Sequence, residues 1–313
     1  MSDLISMQPY LSIPLCLVAS DERRSKVMYE VNRPTLKLII CILILMTPAP
    51  GIAGDLWDQI EDCRDLKETE QEVAFSLLIS QRPYDCCDAT ILECLSKKPV
   101  CPLVLRLAED ICRRAAAGQS KTYIDEELSK RAASATAPRV NIDISEATPA
   151  GDPEAKVEIV AYVCARCPYC AVFSQGLYKS VTSGRLKGKA RFYIRPYVIR
   201  THYGSTTGAM AMLAAQHMGK FWEMFLYMCE NYNRFNVIKL PDWAALNGMD
   251  ADRFRELMKD DDIRQELLES QKEGIRNEIG GTPTLFVNRR KYSAELSLRA
   301  FEGFVEGEYE RLP

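Results

Sequence analysis

The sequence has very little histidine, with only His202 and His217 among 313 residues. Two imidazoles are too few for the histidine-rich sites of catalytic zinc enzymes, and no Ser-His-Asp arrangement can be assembled around either of them. We therefore expect both histidines to be solvated or packed side chains. We also expect no metal site.

The chain also lacks an excess of charge of one sign. Its 40 basic and 43 acidic residues give a net charge of −3, and no basic run stands out. A nucleic-acid-binding surface needs clustered Lys and Arg, so nucleic acid is excluded as an expected partner. The remaining composition, 47% hydrophobic and 27% charged, is typical of a globular protein.

Long hydrophobic runs are absent except near the start of the chain. The apolar run at residues 38–46 is too short for a comfortable membrane span, and it follows two basic residues. A small-residue stretch that ends at Ala53 comes next, which is the pattern of a secretory signal peptide. We interpret residues 1–53 as a signal-peptide region, with Met28 as the possible true start. An uncleaved N-terminal anchor is the alternative.

Cysteine, in contrast, is abundant, with twelve residues in the chain. Six of them fall in a segment whose apolar residues recur at helical spacing, and these are Cys63, Cys86, Cys87, Cys94, Cys101 and Cys112. A small core benefits from disulfide bonds, so we predict a Cys-rich all-α domain over residues 54–131. Metal binding is a weaker alternative, and sequence cannot choose among the fifteen possible pairings. Residues 132–140 are predicted to be a linker.

Three further cysteines, Cys164, Cys167 and Cys170, follow a predicted buried strand at residues 157–163 and precede a helical pattern. A helix N-terminus presents free N–H groups and the positive end of the helix dipole, so it stabilises a thiolate. Cys-x-x-Cys at such a junction indicates a redox dithiol. Zinc is the rival interpretation, but a structural zinc site needs a second ligand pair.

Three features of the sequence resemble the DsbA-like thiol:disulfide oxidoreductases. They are the motif Cys-Pro-Tyr-Cys, the downstream Thr282-Pro283 before a short apolar strand, and the segment GKFWEMF at residues 219–225. The resemblance covers residues 141–313. It implies an α/β thioredoxin fold with a helical insertion, a cis Pro283 beside the active cysteines, and substrate binding by Thr282 and Pro283. It implies no cofactor.

The choice of the active pair stays open at this point. Family spacing places a buried acidic residue six positions before the first active cysteine, and Glu158 stands six before Cys164. Local chemistry favours Cys167 and Cys170 instead, because Pro168 then occupies the first turn of the helix. We predict Cys167 as the nucleophile and Cys170 as the resolving thiol. Cys164 is then a possible third redox cysteine.

The resemblance implies an enzyme of the periplasm or another extracytoplasmic space. Its partners would be cysteine-containing exported proteins and a membrane or soluble redox protein that resets the site. One alternative is a non-catalytic peptide-binding module with structural cysteines. Another is a thiol reductase or relay dedicated to cytochrome maturation.

Overall fold

The computed structural model describes Trp57 and residues 60–312. The predicted signal-peptide region, with Met28 and Ala53, lies outside the described residues. The described residues all belong to one compact unit. In the described part of the chain, no helix combines the length and apolarity needed to cross a membrane.

A five-stranded mixed sheet forms the centre of the fold, in the order β1-β3-β2-β4-β5. The strands are β1 (Ala150–Gly151), β2 (Val157–Val163), β3 (Ala190–Pro196), β4 (Thr284–Val287) and β5 (Arg290–Lys291). β2 pairs with β3 in parallel and with β4 antiparallel. Every residue of β2 is buried, as expected for a central strand covered on both faces.

Helices surround this sheet and also build the N-terminal region. They are α1 (Glu68–Leu78), α2 (Ile91–Leu95), α3 (Pro102–Ala116), α4 (Lys121–Thr136), α5 (Pro168–Thr182), α6 (Ser205–His217), α7 (Phe221–Glu230), α8 (Leu240–Leu246), α9 (Ala251–Leu257), α10 (Asp261–Arg276) and α11 (Leu298–Arg311). The order of strands and helices confirms the predicted α/β fold with a helical insertion between β3 and β4.

The two faces of the sheet are buried by different partners, because successive side chains of a strand point to opposite faces. Ile159 and Val163 belong to the main apolar core, with side chains of α5 and α11. Val160 and Tyr162 belong to a smaller cluster on the other face. There the Tyr162 hydroxyl donates to Glu273 of α10 at 2.7 Å. This packing fixes β2 and the residues that follow it.

The Cys-rich region is helical, as predicted, and has its own apolar core. All six of its cysteines are paired, as Cys63–Cys112, Cys86–Cys101 and Cys87–Cys94. The region also contacts the rest of the unit through buried charge. Arg114, which is almost fully buried, donates to Glu295 at 2.6 Å, and within its own helix it donates to Asp110 at 3.1 Å.

The segment predicted as a linker is helical as far as Thr136, because α4 continues into it. Its Ala and Ser residues favour a packed helix rather than an exposed loop. Ala135 and Ser134 are buried, and the Ser134 hydroxyl accepts a hydrogen bond from the backbone N–H of Ser293 at 2.9 Å. The small residues of this segment therefore belong to the end of a packed helix and not to a flexible connection.

The three disulfides should contribute unequally to stability. Cys63–Cys112 closes a loop with a sequence separation of 49, against 7 for Cys87–Cys94. Loop-closure entropy then predicts that the free energy of unfolding falls by about 4 kcal/mol in Cys63→Ser/Cys112→Ser. In Cys87→Ser/Cys94→Ser it should fall by about 2.5 kcal/mol. Urea unfolding of both variants measures the difference. Equal losses, or the reverse order, would contradict the assigned connectivity, which mass mapping without reductant checks independently.

Candidate active site at the end of the central strand

The three closely spaced cysteines lie where β2 ends and α5 begins. The backbone N–H of Cys167 donates to the carbonyl of Cys164 at 3.1 Å, which closes a turn between strand and helix. The helix begins at Pro168, and Cys167 is its N-cap residue. Proline suits this position because an N–H there would have no partner within the helix. The helix start agrees with the Cys167–Cys170 register.

Hydrogen bonding makes the Cys167 thiol strongly acidic. The bond with the Cys170 thiol is the largest effect that lowers the pKa of Cys167, from its ordinary value of 9.0 to about 5, and burial opposes this shift. Backbone groups of Tyr169 and Cys170, in the first turn of α5, lower the pKa further. They belong to the free N–H groups that every helix N-terminus presents. At neutral pH the thiolate, which is the nucleophilic form, therefore predominates.

Cys170 has the opposite character. Burial raises the pKa of its thiol far above the ordinary range, and the interaction with the Cys167 sulfur raises it further. Both thiols are reduced, and both belong to the main core. The pair thus holds one thiolate and one neutral thiol, which donates its hydrogen bond to the thiolate.

Thr282 and Pro283 lie directly beside this pair. β4 runs antiparallel to β2 with Thr284 opposite Tyr162, so the residues just before β4 reach the carboxyl end of β2. The Cys167 thiol donates to the Thr282 carbonyl at 3.2 Å. The Thr282-Pro283 peptide bond is cis, as the family resemblance implied. The structure therefore brings all four predicted site residues together.

Cys164 occupies a polar pocket of its own next to the pair. Its sulfur lies 3.4 Å from His202 Nδ1 and 3.2 Å from Ser205 Oγ, and it accepts a hydrogen bond from the backbone N–H of Arg166 at 3.4 Å. Ser205 Oγ also accepts the backbone N–H of Ile199 at 3.1 Å, which leaves the hydroxyl hydrogen free to point elsewhere. Cys164 is thus buried among hydrogen-bonding groups rather than among apolar side chains alone.

Sequence reasoning did not find this pocket. We expected His202 and His217 to be solvated or packed, and His217 does lie at the surface, 2.9 Å from Glu266. The available signal was topological: residues that follow two adjacent parallel strands meet at the same edge of a sheet. The loop after β3 carries His202 and Ser205 to the end of β2 for this reason.

The turn between Cys164 and Cys167 is held by Arg166. Its guanidinium lies 4.4 Å from the ring centroids of both Tyr232 and Phe235, and it donates to the Tyr232 carbonyl at 2.9 Å. The Tyr232 hydroxyl donates back to the Arg166 carbonyl at 3.2 Å. At Gly208 of α6, a Cβ atom would meet the Ala165 side chain at 2.6 Å, so only glycine permits this close packing. The helical insertion therefore fixes the shape of the turn.

Glu158, whose spacing favoured the Cys164–Cys167 register, lies far from the thiols. It stands near the start of β2, and six residues of strand span about 20 Å. Its carboxylate lies 3.1 Å from the Arg289 guanidinium and 3.6 Å from that of Arg191. Charge pairing at the opposite end of the sheet accounts for this buried acid.

Among the described residues, one further free thiol lies outside this site, and two exposed side chains lie next to it. Cys229 lies in α7, where burial raises its pKa to about 12, so it is unsuited to nucleophilic chemistry. Tyr169 and Val172 of α5 are about three-quarters exposed and form an apolar surface next to the buried dithiol. Within the described residues, no group of three or more His, Cys, Asp or Glu side chains is arranged to hold a metal ion.

Comparison with known proteins gives three kinds of match: curated relatives, solved structures and a family model. Two curated relatives are the Na(+)/H(+) antiporters NhaA 1 of Salinispora arenicola, 28% identical over 156 residues, and NhaA 3 of Salinispora tropica, 28% identical over 222 residues. The matches cover 50% and 69% of this chain but only 24% and 31% of the antiporters. The chain thus spans about a quarter to a third of the length of these relatives.

Solved structures with a similar fold include oxidised BdbD from Bacillus subtilis, which is 18% identical to this chain. The match covers 55% of this chain and 98% of BdbD, with a TM-score of 0.48. The thiol-disulfide exchange protein α-DsbA2 from Wolbachia pipientis matches with 18% identity, coverages of 59% and 93%, and a TM-score of 0.47. The catalytic domain of Proteus mirabilis ScsC matches with 15% identity, coverages of 59% and 97%, and a TM-score of 0.46.

A family model described as thioredoxin matches residues 145–307, which contain the sheet, the three thiols and Thr282-Pro283. The match includes 163 of the 313 residues, just over half of the chain. The predicted resemblance to the thioredoxin superfamily is thereby confirmed, and the chain belongs to the thioredoxin family.

Proposed function

We propose that this chain is an exported, DsbA-like thiol:disulfide oxidoreductase that acts through Cys167 and Cys170. The observation that carries this proposal is the contrast between the two thiols. Cys167 has its pKa lowered to about 5, while Cys170, one helical turn away, has its pKa strongly raised. A difference in pKa of this kind suits a nucleophile and its resolving partner, because the first attacks as a thiolate while the second stays protonated. Cysteines with only a structural role require no such difference in pKa.

The reaction is a pair of thiol–disulfide exchanges. The Cys167 thiolate attacks a disulfide sulfur, which forms a mixed disulfide and releases one thiolate. The Cys170 thiol then loses its proton and attacks Cys167, which forms the Cys167–Cys170 disulfide and releases the second thiol. The same steps in reverse oxidise a dithiol substrate. Electrons move only between sulfur atoms, so the exchange needs no cofactor.

Thr282 and Pro283 supply the substrate platform in this proposal. When Cys167 is protonated, the Thr282 carbonyl accepts a hydrogen bond from its thiol at 3.2 Å. Once Cys167 is a thiolate, that carbonyl becomes free to accept an N–H group from an extended substrate peptide, which would add to the sheet like a strand. The exposed Tyr169 and Val172 offer apolar contacts to the flanking residues of such a peptide.

The lowered pKa also bears on redox direction. A more acidic thiol is a better leaving group and makes its disulfide more oxidising. The value of about 5 for Cys167 lies between those of thioredoxin, about 7, and DsbA, about 3.5. We therefore propose an oxidant weaker than DsbA. Tyr169 stands between the two cysteines, where the strongest oxidant of the family has histidine, and this difference supports the same proposal.

We further propose an extracytoplasmic location, in the periplasm or an equivalent space. The signal-peptide pattern of residues 1–53 supports it, and so do the three disulfides of the Cys-rich region, because such bonds persist in oxidising compartments. The partners in this proposal are cysteine-containing exported proteins and a redox protein, membrane-bound or soluble, that resets the dithiol.

Replacing the nucleophile should abolish the activity. Reduction of insulin disulfides by Cys167→Ser should fall to the uncatalysed rate, because serine cannot form the mixed disulfide. Cys229→Ser is the matched control and should keep the wild-type rate, since Cys229 lies outside the site with its pKa raised to about 12. Undiminished activity of Cys167→Ser would contradict the enzyme assignment and favour a binding module.

Limited alkylation should identify the same residue. At about pH 6 a thiol with a pKa of about 5 is roughly 90% ionised, against about 0.1% for an ordinary thiol, but its thiolate is intrinsically less nucleophilic. The two effects together predict that Cys167 reacts about 10-fold faster than an ordinary thiol. Substoichiometric iodoacetamide followed by peptide mapping measures this preference. Preferential labelling of Cys164 would instead support the Cys164–Cys167 register.

A further inference from the structure

Cys164 is a buried thiol that the proposed reaction does not use, yet its surroundings are those of a reactive group. The strand β2 delivers it to the same turn as Cys167, and polar atoms from α6 and the preceding loop contact its sulfur. The structure therefore presents two thiols, one on each side of Cys167, at equal sequence distance from it.

We propose that Cys164 is a second resolving thiol, which releases substrate from Cys167 by forming a Cys164–Cys167 disulfide, with His202 as its base. This inference rests on the proposed role of Cys167 as the nucleophile. It adds a catalytic role for Cys164 and His202.

The backbone geometry permits the new bond. The hydrogen bond from the Cys167 N–H to the Cys164 carbonyl, 3.1 Å long, closes a turn between residues three apart. Such turns bring the first and fourth Cα atoms within about 7 Å, and a disulfide needs a Cα separation of about 4.4–6.8 Å. Cys170, also three residues from Cys167, meets the same requirement at the start of α5.

The polar groups around Cys164 suit a nucleophile. His202 Nδ1, 3.4 Å from the sulfur, is placed to take the thiol proton. The Arg166 N–H donates to the sulfur at 3.4 Å, and the Ser205 hydroxyl lies 3.2 Å from it. Ser205 is the first residue of α6, so the sulfur also faces a helix N-terminus.

The step balances without an external oxidant. In the mixed disulfide, the substrate sulfur is bonded to Cys167 Sγ. The Cys164 thiol gives its proton to His202 Nδ1, and its sulfur attacks Cys167 Sγ. The Cys164–Cys167 bond forms, the Cys167–substrate bond breaks, and the substrate sulfur leaves with the electron pair and takes the proton from His202. The substrate disulfide is reduced by two electrons, and the two cysteines are oxidised.

A second resolving thiol has a use here because Cys170 is deeply buried, and burial is the largest effect that raises the pKa of its thiol. The Cys164 sulfur, in contrast, is contacted by His202, Ser205 and the backbone N–H of Arg166. The two thiols therefore offer the mixed disulfide two routes of release.

The test uses Cys170→Ser, which removes the first resolving thiol. The reduced full-length variant is mixed with oxidised glutathione, quenched in acid and mapped by mass spectrometry. We expect a Cys164–Cys167 disulfide, whose formation releases two glutathione thiols from this site. Cys164→Ser/Cys170→Ser should stop with glutathione bound to Cys167, after release of one thiol from the site. Cys170→Ser/Cys229→Ser is the matched control and should behave like Cys170→Ser. Circular dichroism confirms that each variant is folded.

The possible failures are distinguishable. If Cys170→Ser also stops with glutathione on Cys167, Cys164 is not a resolving thiol, although the proposed nucleophile stands. If the double variant without Cys164 and Cys170 takes up no glutathione at Cys167, the proposed function fails and this inference fails with it.

His202 has its own test in the Cys170→Ser background. Loss of a general base should slow release of the second glutathione by about 10²-fold in His202→Ala, while the first release keeps its rate. His217→Ala, which removes the surface imidazole paired with Glu266, should leave both rates unchanged. Equal second-release rates in the His202 and His217 variants would overturn the role of His202.

Discussion

The stabilisation of negative charge on the Cys167 sulfur is the interaction on which the site depends. The Cys170 thiol and the first N–H groups of α5 act together on that sulfur, and the shift of its pKa from 9.0 to about 5 outweighs the opposing effect of burial. The Cys167 residue is only 3% exposed, so solvent screens these hydrogen bonds little.

The rest of the fold keeps these groups in place. The central strand is buried on both faces, so the point at which β2 ends is fixed. The turn that follows is held from the side by Arg166, stacked on Tyr232 and Phe235, and α6 packs closely against it at Gly208. The helical insertion thus directly supports the candidate active site. It also supplies the hydrogen-bonding groups around Cys164, which belong to α6 and the loop before it.

Much of this site could be predicted from sequence because its determinants are local. A hydrophobic run, a cysteine, a proline at the first helical position and a second cysteine one turn later specify the strand, the N-cap and the dithiol without knowledge of distant residues. The buried strand at Val157–Val163 was predicted with its observed bounds. The position of Thr282-Pro283 beside the thiols came from the family resemblance.

Features that depend on distant residues escaped prediction. His202 and Ser205 stand 38 and 41 positions after Cys164, and only the parallel pairing of β2 with β3 brings them to its sulfur. The disulfide connectivity of the Cys-rich region and the buried pairing of Arg114 with Glu295 are non-local in the same way. The spacing of Glu158 favoured the other register, and the structure pairs its carboxylate with Arg289 and Arg191 near the start of the strand.

The most direct test of this account is a titration of the reduced protein that follows the ultraviolet absorbance of its thiolates. We predict a transition with an apparent pKa of about 5 in the wild-type protein, retained in Cys229→Ser and absent in Cys167→Ser. A protein without a thiolate transition below about pH 7, or one whose acidic transition persists in Cys167→Ser, would contradict the central claim.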